Sequence, residues 1–388
     1  MTVRNALGAA VRHEWALDPD FLTVNHGSYG ATPLTVLAEQ DRWRKRMEAQ
    51  PTRFFSQEMR GALREAAARL GRFVGAEGDD IAFVPNATTG CNAVLRSLRF
   101  GPDDEILHVS HVYNAVRNTM LHVAGWAGAK VVAAEIPFPQ PDQATILRNI
   151  EQAITKRTKI AVFDHITSPS GLVLPIAEMI AMCRAAGVPV LVDGAHGPGQ
   201  VPLDLPKLGA DWYVGNCHKW LSAPKGSGFL YARPDRRADL HPVTISHGYR
   251  DGFTQEFDWT GTVDPSAYLA VPAAIAFFER LGGRALMERN RRLVADAARL
   301  LATRLGTEVG AGMEMTGSMA LVRLPIEFEA TRPQSDKVRE ALRAAGADSP
   351  VHPLAGRVWL RLSAYAYNDL GDYERLADML PGVLRQLP

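Results

Sequence analysis

Residues 188–196 read VPVLVDGAH, and residues 211–220 read DWYVGNCHKW. Each stretch contains an apolar run of strand length that ends in polar side chains. A continuous apolar run of this length predicts a strand that is buried on both faces, which is typical of a parallel sheet covered by helices. Ligands of such sheets bind at the carboxyl ends of the strands, so Asp193, His196 and Lys219 lie where a binding site is expected.

The same alternation of β-rich runs and helical patterns extends outward from these two stretches. Most of the runs are separated by helical patterns long enough to connect parallel strands. This order predicts an α/β fold with a mostly parallel seven-stranded sheet and helices on both faces. The predicted strands are Ile81–Pro85, Glu105–Val109, Lys130–Ile136, Lys159–Asp164, Val188–Asp193, Asp211–Gly215 and Gly228–Ala232. The predicted helices are Gln57–Val74, Thr89–Leu98, Ala115–Gly125, Ala144–Thr155 and Ile176–Gly187.

The residues after this sheet predict a smaller C-terminal α/β domain. A long helical stretch at about 266–305 leads away from the sheet. It is followed by predicted strands at Met315–Leu324 and Val358–Leu362 and predicted helices at Ser335–Ala345 and Tyr373–Leu387. We therefore predict an N-terminal segment, 1–30, that packs with the small domain and the mouth of the site, a large domain, 31–265, and a small domain, 266–388.

Composition argues against several classes of function. The 388 residues include 43 Lys and Arg against 42 Asp and Glu, so no basic surplus is available to bind nucleic acid. The longest apolar run, Tyr268–Phe278, is too short to cross a bilayer, and Met1–Asp20 has no apolar core of signal-peptide length. Three scattered cysteines form neither a disulfide framework nor a metal site. We therefore predict a cytoplasmic protein with no metal, no membrane association and no nucleic-acid partner.

The ends of the predicted strands carry groups suited to chemistry. Asn86–Gly90, NATTG, opens a helix and predicts an anion site, although Thr88 or Thr89 as a simple helix cap is the alternative. Asp193 ends an apolar strand, where a desolvated carboxylate needs a cation or hydrogen-bond donors. Lys219 lies between two strands, where burial lowers the pKa of an amine and makes it a nucleophile or base.

One cofactor uses all of these groups. Pyridoxal phosphate needs an amine for a Schiff base, a carboxylate that keeps its pyridine nitrogen protonated, an aromatic ring over its own ring, and a phosphate cradle. Lys219 and Asp193 supply the first two, and the helix start at Asn86 supplies the last. Tyr113 or His111, which follow a predicted strand, supply the aromatic cover.

The sequence also resembles the fold-type I pyridoxal-phosphate enzymes of the class V aminotransferase family, and within them the isopenicillin N epimerase-like branch. The resemblance runs in family order through nearly the whole chain. It rests on the stretches Leu22–Gly30, Pro85–Thr89, Asp193–His196, Asn216–Trp220, Glu256–Thr262 and Arg361–Ala364. It implies the fold-type I transferase fold, pyridoxal 5'-phosphate as cofactor, and a homodimer with shared active sites.

The resemblance implies a role for each matching position. Lys219 resembles the Schiff-base lysine that also carries the α-proton, and Asp193 the partner of the pyridine nitrogen. Tyr113 falls where related cysteine desulfurases have a histidine that stacks on the cofactor ring, so the aromatic character is preserved. Thr262 matches a threonine that reaches the phosphate in the neighbouring subunit. The phosphate cradle is matched by Ala87, Thr88, Thr89, Asn216 and His218, and the surroundings of the ring hydroxyl by Ser168 and His196.

Four further residues are candidates for substrate binding. Arg361 matches the arginine that binds the substrate carboxylate, for which a bidentate guanidinium is suited. Asn25 and His26 are expected at the substrate mouth, although their Asn-His-Gly turn also fits a purely structural role. Arg53 is either a substrate contact or part of a salt bridge at the dimer interface.

The resemblance implies an α-carbanion formed from a small amino acid, and several fates remain open for it. An epimerase or racemase ranks first. A C–S β-lyase, either a cysteine desulfhydrase or a lyase of cysteine conjugates or sulfoxides, ranks close behind, and transamination is third. Persulfide-forming desulfurases are disfavoured, because Ala347–Val358 contains no cysteine. A non-catalytic cofactor-binding scaffold is the alternative from another class, although such a scaffold has little use for both Lys219 and Arg361.

Overall fold

The structure, a computed structural model, describes residues 7–387, so the first six residues of the predicted N-terminal segment and Pro388 lie outside the described residues. The strands are β1 (Leu22–Thr23), β2 (Ile81–Val84), β3 (Glu105–Val109), β4 (Lys130–Ala134), β5 (Thr158–Asp164), β6 (Val190–Gly194), β7 (Trp212–Asn216), β8 (Gly228–Ala232), β9 (Met319–Arg323), β10 (Ala347–Asp348), β11 (Val351–Leu354) and β12 (Arg357–Ser363). The α-helices are His26–Tyr29, Leu34–Ala49, Pro51–Arg53, Met59–Val74, Ala87–Ser97, Asn114–Ala127, Gln143–Ala153, Ile176–Ala185, Leu205–Leu208, Phe253–Asp258, Ser266–Leu269, Val271–Arg280, Arg284–Leu305, Arg332–Ala344 and Leu370–Leu384.

The large sheet has seven strands in the order β2-β8-β7-β6-β5-β3-β4. Strand β8 runs antiparallel to both of its neighbours, and the other pairs are parallel. The predicted mostly parallel α/β sheet is therefore confirmed. The carboxyl ends of β5, β6 and β7 lie side by side, so Asp164 is directly opposite Asp193, and Gly194 is opposite Gly215.

Alternate side chains of the central strands pack into two apolar layers. Phe163 and Val192 join a cluster on one face, while Val162 and Leu191 join a second cluster on the other. All of these side chains are fully buried, which explains why the strands have continuous apolar sequences rather than alternating ones. Two of the helices that cover the sheet begin at polar caps: the side chains of Asn86 and Asp142 each accept a hydrogen bond from a first-turn N–H.

The small domain is built on the antiparallel sheet β11-β12-β9, of which the sequence predicted only β9 and β12. Helix Arg284–Leu305 packs on β9 and on the C-terminal helix Leu370–Leu384. Helix Val271–Arg280 instead packs on helix Met59–Val74 and contributes to the core of the large sheet. We therefore propose that the domain boundary lies after Arg280, later than the predicted boundary at residue 265.

The N-terminal segment connects the small domain to the carboxyl edge of the large sheet. Strand β1 pairs in parallel with β10 of the small domain. The chain then passes close to the backbone of His218 and Lys219 at Gly30, which has a φ of +70°. A Cβ at this position would lie 2.1 Å from the carbonyl oxygen of His218. Only glycine fits both this conformation and this close approach.

Within residues 7–387 no helix is both long enough and apolar enough to cross a membrane. The cytoplasmic location stays a prediction.

Candidate active site

Lys219 lies just after β7, in the turn that leads to β8, and its amine faces the carboxyl edge of the sheet. Its Nζ is 3.1 Å from Nε2 of His196. The pKa of Lys219 is lowered to about 8. Burial is the main cause and the charge of Arg361 acts in the same direction, whereas the charges of Asp193 and Asp164 oppose the shift. A substantial fraction of this amine is therefore neutral at a pH near 8, as a nucleophile or base requires.

His196 is buried and both of its ring nitrogens have partners. Nε2 faces Lys219, and Nδ1 accepts a hydrogen bond of 3.1 Å from the indole N–H of Trp220. Burial lowers the pKa of His196 well below its usual value, and the charges of Lys219 and Arg361 act in the same direction. The imidazole is therefore neutral. Trp220, fully buried, was not among the predicted site residues, although it belongs to the quoted 211–220 stretch.

Two carboxylates, not one, end neighbouring strands beneath this cluster. Asp193 accepts a hydrogen bond of 2.9 Å from the N–H of Ala195, and Asp164 accepts one of 3.3 Å from the N–H of Tyr113. Burial raises the pKa of both carboxyls, and the charge of Asp193 raises that of Asp164 further. Within the described chain the second oxygen of Asp164 is buried and has no hydrogen-bond partner. Asp164 was missed, although it ends an apolar strand just as Asp193 does.

The predicted anion site lies at the start of helix Ala87–Ser97. Asn86 is the cap of this helix, because its Oδ1 accepts from the N–H of Thr89 at 2.9 Å, so neither Thr88 nor Thr89 is the cap. Oδ1 of Asn216, at the end of β7, accepts from the N–H of Ala87 at 2.8 Å. The first turn, with its exposed positive dipole end, thereby lies next to the end of β7, where an anion can bind.

His218 follows Asn216 by two residues, just after the end of β7. Its Nδ1 donates a hydrogen bond of 2.8 Å to the carbonyl oxygen of Ser227, and burial lowers its pKa to about 4. Tyr113 is 42% exposed, lies at the start of helix Asn114–Ala127 and is tied to β5 through Asp164. Burial raises the pKa of the Tyr113 phenol, and so does the charge of Asp193.

Arg361 enters the site from β12 of the small domain and is almost fully buried. Its Nη1 donates to the backbone carbonyl of Ser168 at 2.5 Å and is 3.3 Å from the Ser168 hydroxyl, while Nη2 donates to the hydroxyl of Ser28 at 3.1 Å. These partners are uncharged oxygens, and in residues 7–387 the Nε of Arg361 is buried without a partner. Burial lowers the pKa of this guanidinium to about 10. A carboxylate is the ligand that would satisfy it.

Asn25 borders the Arg361 pocket and is held from two sides. Its amide nitrogen donates to Asp348 at 2.7 Å, and its oxygen accepts from Ser28 at 2.7 Å. Asp348 is in turn paired with Arg339 and Arg343. Asn25 is therefore held next to the guanidinium of Arg361, whose role in binding a substrate carboxylate stays a prediction.

His26 occupies a different place from the predicted substrate mouth. Its ring is buried and stacked on Tyr365, with centroids 3.6 Å apart. One ring nitrogen is 2.9 Å from the hydroxyl of Tyr367, and the other is 2.9 Å from the carbonyl oxygen of Lys219. With both nitrogens engaged by protein groups, we expect His26 to position Lys219 rather than to bind substrate.

Two predicted residues lie on the surface. Arg53 is paired with Glu58 at 2.8 Å, and Thr262 is exposed next to Val263, whose side chain is 52% exposed. In the described part of the chain neither has a recorded hydrogen bond or ion pair to the Lys219 cluster. Their assignments to substrate and to the neighbouring subunit stay predictions.

Comparison with known proteins identifies the family. The family model for aminotransferase class V matches residues 30–376. The chain belongs to the class V aminotransferase family. A probable chloroplastic L-cysteine desulfhydrase of Arabidopsis thaliana is 34% identical over 95% of this chain and 84% of its own length. Isopenicillin N epimerase of Streptomyces clavuligerus is also 34% identical, over 95% of this chain and 96% of its own length.

Solved structures confirm the fold. A cystine C–S lyase in complex with cysteine persulfide matches with a TM-score of 0.78 at 20% identity, over 93% of this chain and 97% of its own. The cysteine desulfurase CsdA of Escherichia coli matches with a TM-score of 0.80 at 22% identity, over 99% of this chain and 100% of its own. The chain therefore has the fold-type I architecture of pyridoxal-phosphate enzymes, and its cofactor is pyridoxal 5'-phosphate.

The residues present fit this cofactor. An amine of lowered pKa, two buried carboxyl groups and a helix start lie along one sheet edge, at Lys219, Asp193, Asp164 and Ala87. Asp193 accepts a hydrogen bond only from the backbone N–H of Ala195 among the recorded hydrogen bonds of the described chain, and a protonated pyridine nitrogen is a further donor that its carboxyl group can accept. The chain is thus a pyridoxal-phosphate-dependent enzyme of the group that includes C–S lyases and epimerases.

Proposed function

We propose that this enzyme is a C–S β-lyase acting on L-cysteine or a related amino acid with sulfur on its β-carbon. The observation that carries the proposal is that the amine of Lys219, 3.1 Å from His196 at the carboxyl edge of the sheet, has a lowered pKa, whereas the phenol of Tyr113, the predicted cover of the cofactor ring, has a raised pKa. β-Elimination needs one base. Reversible epimerisation needs an acid and a base on opposite faces of the substrate in both directions, and a phenol of raised pKa is a poor base at neutral pH.

In the proposed reaction Lys219 takes the α-proton of the substrate. The electron pair of the broken Cα–H bond forms a Cα=Cβ double bond, and the sulfur leaves with the pair of the Cβ–S bond. When bound, pyridoxal phosphate supplies an electron sink that stabilises negative charge at the α-carbon. Asp193 holds the pyridine nitrogen of the cofactor, and the start of helix Ala87–Ser97 with Asn216 and His218 holds its phosphate.

Arg361 orients the substrate. The Nε of its guanidinium has no hydrogen-bond partner in the described chain, and a guanidinium is suited to a bidentate contact with the α-carboxylate of the substrate. Such a contact fixes the α-hydrogen relative to Lys219. A persulfide mechanism lacks its nucleophile, since the chain has no cysteine after Cys217. Cys217 itself is fully buried, and burial raises the pKa of its thiol.

We also propose that the enzyme is a homodimer in which Thr262 reaches the phosphate of the neighbouring subunit. Thr262 lies on an exposed loop beside a pocket that Val263 and Val243 line, and these two apolar side chains are exposed in the single chain. Sedimentation analysis should find a dimer, and a monomer with full activity would contradict this proposal.

An epimerase is the second candidate. It is favoured by two isopenicillin N epimerases, of Streptomyces clavuligerus and Amycolatopsis lactamdurans, that are 34% and 33% identical to this chain. Epimerisation would require Tyr113 or a group of the second subunit to deliver a proton opposite Lys219.

Product analysis separates the two candidates. The purified enzyme is incubated with L-cysteine and with cysteine S-conjugates while pyruvate and thiol or sulfide are measured, and with other amino acids in deuterated water while α-exchange and optical rotation are measured. Stoichiometric pyruvate and thiol support the lyase. Exchange with loss of optical activity and without pyruvate would replace it with the epimerase, and turnover only with a keto acid would replace both with a transaminase.

The assignment of Lys219 has its own test. Borohydride reduction of the holoenzyme should attach the cofactor to Lys219, as peptide mass spectrometry can show. Lys219→Ala should remove the label and the activity. Lys225→Ala is the matched control, because Lys225 lies in the same connection between strands but its amine donates to Thr32 instead of facing the cluster. Label on any other lysine would contradict the assignment.

A further inference from the structure

The indole of Trp220 and the amine of Lys219 contact opposite nitrogens of one imidazole. Trp220 Nε1 is 3.1 Å from Nδ1 of His196, and Lys219 Nζ is 3.1 Å from Nε2. Trp220 is completely buried and His196 nearly so, so water does not compete for the contact between these two side chains. The three side chains therefore form one short hydrogen-bonded line.

The direction of each hydrogen bond in this line follows from the chemistry of its first member. An indole N–H can only donate, so Nδ1 of His196 must be the acceptor and carries no proton. A neutral imidazole then carries its single proton on Nε2. Nε2 is consequently the donor toward Lys219, and the amine must offer a lone pair, which only its neutral form has.

We propose that Trp220 is a positioning residue that fixes the tautomer of His196 and thereby holds Lys219 as a neutral amine ready to react with the cofactor aldehyde. The alternative tautomer, with the proton on Nδ1, would present a lone pair to Lys219 and stabilise its ammonium form. The two tautomers thus act on the charge of Lys219 in opposite directions, and the indole N–H selects between them. This inference rests on the proposed role of Lys219.

The other groups around Lys219 do not replace this effect. Asp193 and Asp164 favour the ammonium form, whereas Arg361 disfavours it. His218 also faces this region, but its Nδ1 is engaged with the backbone of Ser227. In the described chain, the recorded hydrogen bond of the Lys219 amine is the one to Nε2 of His196.

The test measures cofactor uptake by the apo-protein as a function of pH. Pyridoxal phosphate is added to protein freed of cofactor with hydroxylamine, and the uptake rate is followed by absorbance. In the wild type the rate should rise with pH to a plateau, with a midpoint near 8 where Lys219 loses its proton. Trp220→Phe removes the indole N–H, so His196 can adopt either tautomer. The pH midpoint of the uptake rate should then move upward by about one pH unit, which slows uptake roughly tenfold at pH 7.

Two further proteins separate this effect from a loss of packing. Trp212→Phe is the matched control, because Trp212 is also buried and its indole donates to a backbone carbonyl, but at the other end of β7. Its midpoint should equal that of the wild type. Benzothienylalanine introduced at position 220 keeps the indole shape and lacks the N–H, so it should shift the midpoint as Phe does even if Trp220→Phe folds poorly.

Nitrogen-15 spectra of the apo-protein labelled in histidine read the tautomer directly, with His196→Gln assigning the signals. The wild type should show His196 with Nδ1 unprotonated and Nε2 protonated, and loss of the indole N–H should mix the tautomers. A proton on Nδ1 in the wild type, or an unshifted midpoint in both position-220 proteins, would overturn the inference. An Nδ1 without a proton together with borohydride label on another lysine would instead overturn only the role of Lys219.

Discussion

The two ends of the large sheet each bury carboxylates, but they treat them differently. At the amino ends of the strands, Glu105 and Asp211 are each paired with arginine: Glu105 with Arg157 at 2.7 Å, and Asp211 with Arg236 at 2.8 Å. At the carboxyl ends, Asp164 and Asp193 are just as buried, yet neither has an arginine partner among the recorded ion pairs of the described chain.

The pKa values follow this contrast. Hydrogen bonds from Thr155 and Arg157 lower the pKa of Glu105, whereas burial raises the pKa of Asp164 and Asp193 against the opposing charge of Lys219. A buried carboxylate that is satisfied by the protein stabilises the fold, and one that is left unsatisfied is available to a ligand. The same sheet thus has a structural end and a binding end.

The largest effect is expected at the binding end. Asp193→Asn should lower kcat/KM by about 10³-fold, because the amide cannot hold a protonated pyridine nitrogen as the carboxylate does. The free energy of unfolding should change little, since the cost of burying the Asp193 charge exceeds the attraction of Lys219 and the amide can still accept the N–H of Ala195. Steady-state kinetics and urea unfolding of the same preparation check both statements. A kcat/KM within tenfold of the wild-type value would contradict the assignment of the carboxyl ends of the strands as the binding end.

The opposite pattern is expected at the structural end. Oδ1 of Asp211 accepts from Arg236, and its Oδ2 accepts from the buried N–H of Val190 at 2.8 Å. Asp211→Asn keeps one of the two oxygen acceptors and loses the negative charge. The free energy of unfolding should therefore fall by about 2 kcal/mol. The loss is not larger because Arg236 is partly exposed and water can hydrate its charge. Kinetic constants of the folded enzyme should equal those of the wild type. A variant of normal stability and lowered kcat/KM would contradict the structural role.

The smallest effect is expected for the second carboxylate of the binding end. Burial and the neighbouring charge of Asp193 raise the pKa of Asp164 well above the usual range, so of the two carboxyl groups Asp164 is the one that we expect to hold a proton. Asp164→Asn replaces a neutral acid with a neutral amide that can still accept the Tyr113 N–H, and kcat/KM should change by less than about tenfold. A loss as large as that of Asp193→Asn would show that both carboxylates must be charged.

The sequence predicted the location of the binding end, but not all of the strands of the small domain or the contacts between distant residues. The seven strands, the position of Lys219 and the helix at Asn86 follow from local pattern, because continuous apolar runs and strand-end residues are properties of short segments. Strand β11 was missed, since Val351–Leu354 has a proline and a histidine within four residues and pairs only through the tertiary structure.

Pairwise relations between distant residues could not be read from local pattern. His26 was predicted at the substrate mouth, whereas the fold stacks it on Tyr365 beneath Lys219. The hydrogen bond of Trp220 to His196 depends on the packing of the turn after β7 against the end of β6, which no spacing in the sequence specifies. Asp164 could have been found, because the rule that selected Asp193 applies equally to it.

The contact of His26 with Lys219 and Tyr365 has a consequence for biosynthesis. It joins three segments that are far apart in the sequence, and Arg361 lies close to the last of them. A nascent chain that has already folded its large sheet still lacks Tyr365, which stacks on His26, and Arg361 of the small domain. The site is therefore completed after the large sheet has been made, so we expect activity to appear with the small domain rather than with the large one.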